Sequence, residues 1–270
     1  RENGLLQVVG FEPDDREFSS LPQDERTVFH NCALAGKSGQ AQTLRVAREA
    51  GKTSLFAPNL ELLRRFPRAE RYETVRSVEL SGAKVRTLDD VVSSCDFIKL
   101  DTQGSELDIL RGGPRAVASA LGLRIEVEFL ELYRGQPLFA DVDAFARAAG
   151  FELVDLRRFY WKRRELLDFK GRGQLAFGEA LYLRPPESVA AGRAAAYAGL
   201  CLVYGLRDRA AAVADRLPEA ARPGLLAADP GYGLRLPGRE RLMRWGRSAA
   251  RWLSRSDQGF SDADPGLANS

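Results

Sequence analysis

Three charged side chains stand where an apolar segment gives way to a helix. The stretch DFIKLDTQGSELDIL (96–110) has Lys99 inside the apolar segment, Asp101 at its end and Glu106 just beyond. A lysine is costly inside a strand that is buried on both faces unless a partner accompanies it. Ligands of open α/β sheets bind beyond the carboxyl ends of the strands. We therefore expect Lys99, Asp101 and Glu106 to lie in one functional site.

Part of this motif also has a purely structural explanation. Ser105 and Asp108 could form a capping arrangement at the helix start, and the helix dipole stabilises Glu106 in the first turn. Neither effect accounts for Lys99. Neither accounts for Gly104, which indicates a close approach of the backbone to another group.

Two further carboxylates lie in the stretch RIEVEFLELY (124–133). Glu126 and Glu128 are two residues apart, so they face the same side of a strand. Glu128, nearer the strand end, could meet Asp101 and Lys99 in one pocket. A structural ion pair between Lys99 and one of the glutamates explains the pattern equally well, and both interpretations stay open.

Glu12 ends the first apolar stretch, GLLQVVGF (4–11). In doubly wound sheets, an acidic residue that ends a strand binds the ribose hydroxyls of a nucleoside cofactor. The alternative is an acid at a helix N-terminus, since DDRE (14–17) follows and suits the helix dipole. Position alone does not decide between the two.

The stretch RRFYWKRR (157–164) interleaves basic and aromatic residues. Such a pattern can bind nucleic acid through charge and stacking. We favour a strand end and loop with an apolar underside, so we expect no nucleic-acid partner; a lid over a substrate is a third reading. His30 falls in or at the end of a strand without an evident partner, which favours a structural role.

Strands alternate with helices along the chain, which predicts an α/β fold with a mainly parallel sheet. The last two strands have no helix between them, so we expect them to form an antiparallel pair at one edge. The predicted strands are 4–11, 27–35, 39–47, 70–80, 96–101, 123–130, 151–158 and 179–186, and the predicted helices are 14–21, 105–113, 139–150 and one that begins at Thr87.

The chain of 270 residues divides by composition into a main domain (1–186), a helical appendage (187–255) and a disordered tail (256–270). Three distant cysteines and one histidine argue against a zinc site. The apolar run 195–206 is shorter than the roughly 20 residues of a membrane span. The start RENGLLQVVG lacks the pattern of a signal peptide, so we expect no membrane span and a cytoplasmic protein.

Several of these stretches together resemble the FkbM family of S-adenosylmethionine-dependent methyltransferases, over residues 5 to about 186. The most specific piece is IKLDTQGSE (98–106), with TLDD (87–90) before it. The other pieces are FEPDD (11–15), HNCALAGKSG (30–39), KTSLFAPN (52–59), EVEFLELYRGQPLF (126–139), AAGFELVDL (148–156) and GQLAFGEALYLR (173–184).

The resemblance implies a Rossmann-like fold of seven strands, with S-adenosylmethionine as the cofactor. It implies O-methylation of a hydroxyl on a sugar, glycan, lipid or natural product. Glu12 would bind the cofactor's ribose, and Asp101 would lie by both cofactor and acceptor. As catalytic residues we expect Asp101 as the general base, Glu106 or Glu128 in reserve, and Lys99 to keep the carboxylate ionised. Asp101 and Glu106 could hold a divalent cation, but the sequence demands no metal.

One departure from the family pattern concerns the cofactor. Methyltransferases of this kind carry a glycine-rich turn after their first strand, and no such turn precedes Glu12. We interpret the chain as a fragment or as a mis-assigned start. The alternative is a non-catalytic binding or scaffold protein derived from the fold. The expected partner is a small-molecule or glycan acceptor, and a homo-oligomer formed through the appendage stays open.

Overall fold

A computed structural model describes residues 6–217 and residue 219. Within them the fold is mixed α/β. The strands are β1 (Val8–Phe11), β2 (Thr27–His30), β3 (Ala33–Leu34), β4 (Gln42–Ala47), β5 (Thr74–Leu80), β6 (Val85–Arg86), β7 (Phe97–Leu100), β8 (Gly122–Glu128), β9 (Glu152–Trp161) and β10 (Gln174–Leu183).

The α-helices are mostly short. They are α1 (Asp15–Ser20), α2 (Leu60–Leu63), α3 (Leu88–Val91), α4 (Glu106–Arg111), α5 (Pro114–Ser119), α6 (Phe139–Ala148), α7 (Ala194–Val203) and α8 (Arg207–Ala211). Single 3-10 turns lie at Ala50–Lys52, Ala69–Tyr72, Gly82–Lys84, Arg164–Leu166, Pro186–Ser188, Ala191–Arg193 and Ala214–Arg216.

The largest sheet has four strands in the order β7-β8-β10-β9. β7 and β8 are parallel, and β10 is antiparallel to both of its neighbours. The predicted antiparallel pair at one edge is therefore present. Its strands are longer than expected, because β9 runs on to Trp161 and β10 already begins at Gln174.

The prediction of a mainly parallel sheet is met only in part. Besides the four-stranded sheet, β1 pairs with β2 and β3 with β6 in parallel, while β4 and β5 are antiparallel. Over residues 6–217 the structure thus has as many antiparallel as parallel strand pairs, and the pairs fall into four separate sheets. The predicted strand 27–35 is divided into β2 and β3.

The helix predictions fare better. α3 begins after Thr87, whose N–H donates to Asp90 Oδ2 at 3.0 Å. α4 ends at Gly112 and α6 covers most of the predicted 139–150. Two helices were not predicted. α2 begins where Asn59 Oδ1 accepts from the Leu62 N–H, and α5 begins with Pro114, a residue suited to a first helical turn.

One face of the four-stranded sheet forms the main apolar core. Leu123, Ile125 and Val127 of β8 point to this face, and each is 0% exposed. They pack with α4, α5 and α6. Burial of each such side chain stabilises the fold by about 1.5–3 kcal/mol. This core fixes β7 and β8, whose carboxyl ends carry Asp101 and Glu128.

The opposite face is apolar at its two ends and charged between them. At one end Leu181 and Leu183 pack under α7 and α8. At the other end Trp161 packs with the segment 56–72. Side chains alternate between faces along a strand, so Lys99 and its register partner Arg124 lie on this second face.

The helices α7 and α8 agree with the predicted helical appendage as far as the structure goes. The rest of the predicted appendage, and the tail 256–270, lie outside the described residues. The domain division at residue 186 stays a prediction.

Candidate functional site

The turn between β7 and α4 is built around the Glu106 carboxylate. Glu106 Oε1 accepts from the Thr102 N–H at 2.6 Å and from the Thr102 hydroxyl at 3.0 Å, and Oε2 accepts from the Gly104 N–H at 2.9 Å. The predicted Ser105–Asp108 capping arrangement is wrong, because the Ser105 side chain makes no capping bond. Glu106, which is only 3% exposed, organises the turn instead.

Gly104 has the close approach that the sequence indicates. Its φ is +110°, a conformation that other residues rarely adopt. A Cβ at this position would lie 3.3 Å from Gln136 Cβ and 3.4 Å from Phe56 Cδ2. The neighbours that require a glycine are therefore side chains of the protein itself.

Lys99 and Asp101 form an ion pair, with 3.6 Å between Lys99 Nζ and Asp101 Oδ2. The Lys99 side chain is 43% exposed and that of Asp101 is 12% exposed. The expectation that Lys99 lies in a strand buried on both faces is therefore wrong. The partner of Lys99 is Asp101 rather than Glu126 or Glu128, so the structural pair that the sequence left open is not the one formed.

Gln103 joins two of the carboxylates. Its Nε2 donates to Asp101 Oδ1 at 3.1 Å and to Glu126 Oε1 at 2.6 Å. The Tyr133 hydroxyl donates to Gln103 Oε1 at 2.9 Å, and the Ser54 hydroxyl donates to the Gln103 carbonyl at 2.7 Å. Gln103 thus fixes Asp101 relative to β8. The motif DTQGSE contains this residue, but its type alone gave no signal of a bridging role.

Glu128 is buried at the end of β8, with 2% of its surface exposed. Burial, together with the charges of Glu106 and Glu126, raises its pKa well above the ordinary value. Its Oε1 has no hydrogen-bond partner within the described protein. Most buried polar groups in proteins are hydrogen-bonded, so this oxygen marks a place where a bound molecule could be held.

Two more polar atoms nearby share that property. Ser105 Oγ and Gln136 Nε2 are buried and have no partner within the described protein. Ser105 follows Gly104 in the chain and Gln136 packs against it. A hydroxyl, an amide N–H₂ and a carboxyl are each able to hydrogen-bond to a polyhydroxy compound.

Glu126 lies on the same strand face but is less covered than Glu128. Burial raises its pKa to about 8, and the charge of Asp101 adds to the effect. Near neutral pH this carboxyl therefore carries a proton in much of the population, whereas it would be ionised in water.

Lys52 is a buried cation that sequence reasoning did not single out. It is 8% exposed, and its Nζ lies 5.6 Å from the Tyr72 ring centroid and 6.0 Å from that of Phe177. Burial lowers its pKa, but Tyr72, Glu126 and Asp101 outweigh that effect and leave the pKa above the ordinary value. The sequence KTSLFAPN gave no periodic signal for such a position.

Glu12 stands apart from this cluster. It follows β1 and accepts the Asp14 N–H at 2.9 Å through Oε1. The helix α1 begins after Asp14, which caps the Arg16 N–H, so Glu12 is not the acid at that helix start. Burial raises the pKa of Glu12, and the structure gives its Oε2 no donor within the described residues.

A cavity of about 330 Å³ opens next to Glu12, beside the start of α1. Its lining includes Pro13, Asp14, Arg76, Glu79 and Lys84. Arg76 is held in place by an ion pair with Asp14 at 2.7 Å. The cavity has a mixed charge and lies next to the residue that was predicted to bind a ribose.

The other sequence candidates make packing contacts. The ring of His30 stacks on Phe11 with 5.7 Å between centroids. Phe159 stacks on Phe177 at 4.5 Å and Trp161 is buried. The aromatic part of RRFYWKRR is therefore strand with an apolar underside, as favoured.

Two features are absent from the residues that the structure describes: a side-chain group that could hold a metal ion and a helix that could cross a membrane. No group of three or more histidine, cysteine, aspartate or glutamate side chains there is arranged to hold a metal ion. Among the helices of residues 6–217, none combines the length and apolarity needed to cross a bilayer.

Comparison with known proteins gives one match. The model of the methyltransferase FkbM domain matches residues 1–153, which is more than half of the 270 residues. No curated protein and no solved structure matches the chain. The matched segment contains β7, the Glu106-centred turn and all of β8, and on this match the chain belongs to the FkbM methyltransferase domain family.

Proposed function

We propose that this protein transfers a methyl group from S-adenosylmethionine to a hydroxyl oxygen of a sugar, glycan, lipid or natural product, in the cytoplasm. Family membership supports a methyltransferase. The observation that carries the choice of a hydroxyl acceptor is the Asp101 carboxylate, which Lys99 and Gln103 hold at the carboxyl end of β7. A hydroxyl is a weak nucleophile, so a positioned base contributes strongly to the rate.

One residue fits the ribose part of the cofactor. Glu12 Oε2 is an acceptor without a donor among the described residues, which is what a ribose diol requires. When bound, the cofactor supplies a methyl carbon that its sulfonium has already activated. The protein's own tasks are then to hold the acceptor hydroxyl in line and to take its proton at Asp101.

We also propose that the separate sheets belong to one Rossmann-like arrangement. β1 and β2 are parallel, and Phe11 at the end of β1 packs against the same apolar core as β7 and β8. Glu12 and Asp101 would then both lie beyond carboxyl ends of strands, where ligands of such sheets bind.

The other predicted residues around Asp101 have different proposed roles. Glu106 shapes the turn that carries Asp101, because its oxygens hold the Thr102 and Gly104 N–H groups. Glu128, with Ser105 and Gln136, offers unpaired polar atoms to the acceptor. Asp101 is therefore the proposed base, and Glu128 the proposed acceptor contact.

Calorimetric titration with S-adenosylhomocysteine tests cofactor binding. We expect the protein to bind and Glu12→Ala to weaken binding about tenfold or more, because hydrogen bonds to a charged group are lost. Glu17→Ala, on the exposed side of α1, is the matched control. If neither this chain nor a chain extended upstream binds, the scaffold alternative replaces the enzyme. Binding by the extended chain alone would support the fragment interpretation.

Transfer of labelled methyl groups to a panel of glycans, lipids and hydroxylated natural products tests the base. Asp101→Asn should lower the rate by about 100-fold or more. Asp96→Asn, an acid before β7 that is paired with Arg193, is the control. An Asp101→Asn protein that transfers at the full rate would remove Asp101 from the mechanism.

A further inference from the structure

The tip of the hairpin between β9 and β10 exposes three large apolar side chains. Phe169 is 69% exposed, Leu166 46% and Leu167 44%. All three lie within the connection 162–173, at the end of the sheet that is remote from α7. Large apolar side chains that cluster on one exposed loop mark an interaction surface more often than scattered ones do.

The same connection is basic. Residues 162–173 contain five basic side chains (Lys162, Arg163, Arg164, Lys170 and Arg172) against two acidic ones (Glu165 and Asp168). The apolar residues are thus bracketed on both sides by cations. The neighbouring segment adds the exposed Arg64, Arg65 and Arg68. Arg65 lies 4.0 Å from Glu61 and Arg68 lies 3.9 Å from Glu49, so these two charges are partly balanced.

The tip is attached to the body of the protein at defined points. The Arg164 N–H donates to the Arg65 carbonyl at 3.0 Å, and Arg164 Nη2 donates to the Phe66 carbonyl at 3.3 Å. Lys162 Nζ donates to the Phe169 carbonyl at 3.1 Å, which closes the loop on itself. These hydrogen bonds fix the place of the tip, which carries both its apolar and its basic side chains, beside the segment 65–66.

We propose that residues 162–173, with Arg64, Arg65 and Arg68, dock on an anionic lipid bilayer. Phe169, Leu166 and Leu167 enter the interface between headgroups and acyl chains, and the surrounding cations bind anionic headgroups. The proposal goes beyond the methyl-transfer reaction and does not depend on it.

Charge and geometry favour a bilayer over the other occupants. Nucleic acid would need several aromatic faces for stacking, but Trp161 and Phe159 are buried and Arg172 covers the Tyr160 ring at 4.7 Å, so Phe169 alone of the aromatic residues 159–169 is well exposed. A second copy of this chain would bring the same positive charge to the contact. The surface area of three partly exposed side chains is also much smaller than the roughly 800 Å² that each partner buries in a stable interface.

The base of this hairpin is also a wall of the candidate site. Trp161 and Phe177 pack on each other, and Trp161 packs on Tyr72. Phe177 in turn faces the Lys52 ammonium. Docking through the tip would therefore bring the polar cluster close to the headgroup layer.

Vesicle flotation of the full chain tests this proposal. The protein is mixed with vesicles of phosphatidylcholine alone, or of phosphatidylcholine with phosphatidylserine. We expect flotation with the anionic vesicles only, and loss of flotation in high salt. Arg163→Glu with Lys170→Glu should lower the partition coefficient by about tenfold or more. The triple change of Leu166, Leu167 and Phe169 to Ser should do the same at unchanged charge.

Matched controls are Arg111→Glu and Val75→Ser, which alter an exposed cation and an exposed apolar residue elsewhere. Both should float like the unchanged protein, and circular dichroism shows whether each variant is folded. Failure to float with anionic vesicles overturns the proposal. So does tip-dependent self-association in sedimentation, or tip-dependent binding of RNA, without lipid binding.

Discussion

One glutamate is buried in the turn after β7 and another at the end of β8. The first accepts several hydrogen bonds, whereas one oxygen of the second accepts none. Glu106 uses both oxygens to hold three donors of its own turn. Glu128 is buried to the same degree, yet its Oε1 has no partner within the described protein. Both residues are buried glutamates, so the comparison concerns the hydrogen bonds that each one makes.

This difference indicates a structural role for Glu106 and a binding role for Glu128. A buried carboxyl that satisfies backbone N–H groups is needed for folding whether or not a ligand ever binds. A buried carboxyl without a donor destabilises the folded chain, so we infer that Glu128 contributes to binding rather than to folding. The comparison can be tested by substituting the buried glutamates one at a time.

The largest expected effect is that of Glu106→Ala. This change leaves the Thr102 and Gly104 N–H groups without their acceptor, and each unsatisfied buried group costs about 1–3 kcal/mol. We expect the free energy of unfolding to fall by about 3 kcal/mol, measured by urea denaturation. Glu106→Gln keeps one acceptor oxygen and should lose less. A loss below about 1 kcal/mol for Glu106→Ala would contradict the architectural role.

The next effect is a pH dependence that comes from Glu126. Its pKa is about 8 in the folded protein, above the ordinary 4.5. Between these values the folded state binds the proton and the unfolded state does not, so stability falls as the pH rises. The contribution is fully present below the ordinary pKa and is lost through about pH 8. We expect a slope on the order of 1 kcal/mol per pH unit.

Urea denaturation at several pH values measures this slope. Glu126→Gln should flatten it by the equivalent of one proton, since the amide does not titrate. Glu131→Gln, an exposed neighbour, should leave it unchanged. An unchanged slope in Glu126→Gln would show that Glu126 titrates near its ordinary value.

The smallest expected effect on stability is that of Glu128→Gln. Burial and the charges of Glu106 and Glu126 raise the pKa of this carboxyl well above its ordinary value and so favour its neutral form, and an amide has nearly the same shape. We expect the free energy of unfolding to change by less than about 1 kcal/mol, while methyl transfer to the acceptor falls. A loss of stability as large as that of Glu106→Ala would end the distinction between the two glutamates.

Sequence patterns predicted much of the fold, because they depend on local rules. The start of α3 at Thr87, the glycine end of α4 and the antiparallel edge strands all follow from local composition. The separation of the strands into four sheets was not predicted, because strand pairing depends on contacts between residues far apart in the chain. α2 and α5 are too short to show a helical period.

The sequence singled out the carboxylates of the candidate site but not the residues that hold them. Asp101, Glu106 and Glu128 are anomalous in apolar surroundings and are therefore visible in the sequence. Lys52 and Gln103 sit in polar stretches where such residues are unremarkable, and only the fold brings them to Asp101 and Glu126. Lys99 was placed in the right motif with the wrong surroundings, because the 4 residues of β7 are too few to distinguish an alternating pattern from a continuous apolar run.

The position of β7 has a consequence for how this chain behaves at high concentration. In the part of the chain that the structure describes, β7 pairs with β8 alone, so its other side presents backbone N–H and C=O groups that could recruit a foreign strand. A charged residue on such an edge discourages that kind of aggregation. We therefore expect Lys99, whose side chain is 43% exposed, to disfavour edge-to-edge pairing between neighbouring molecules.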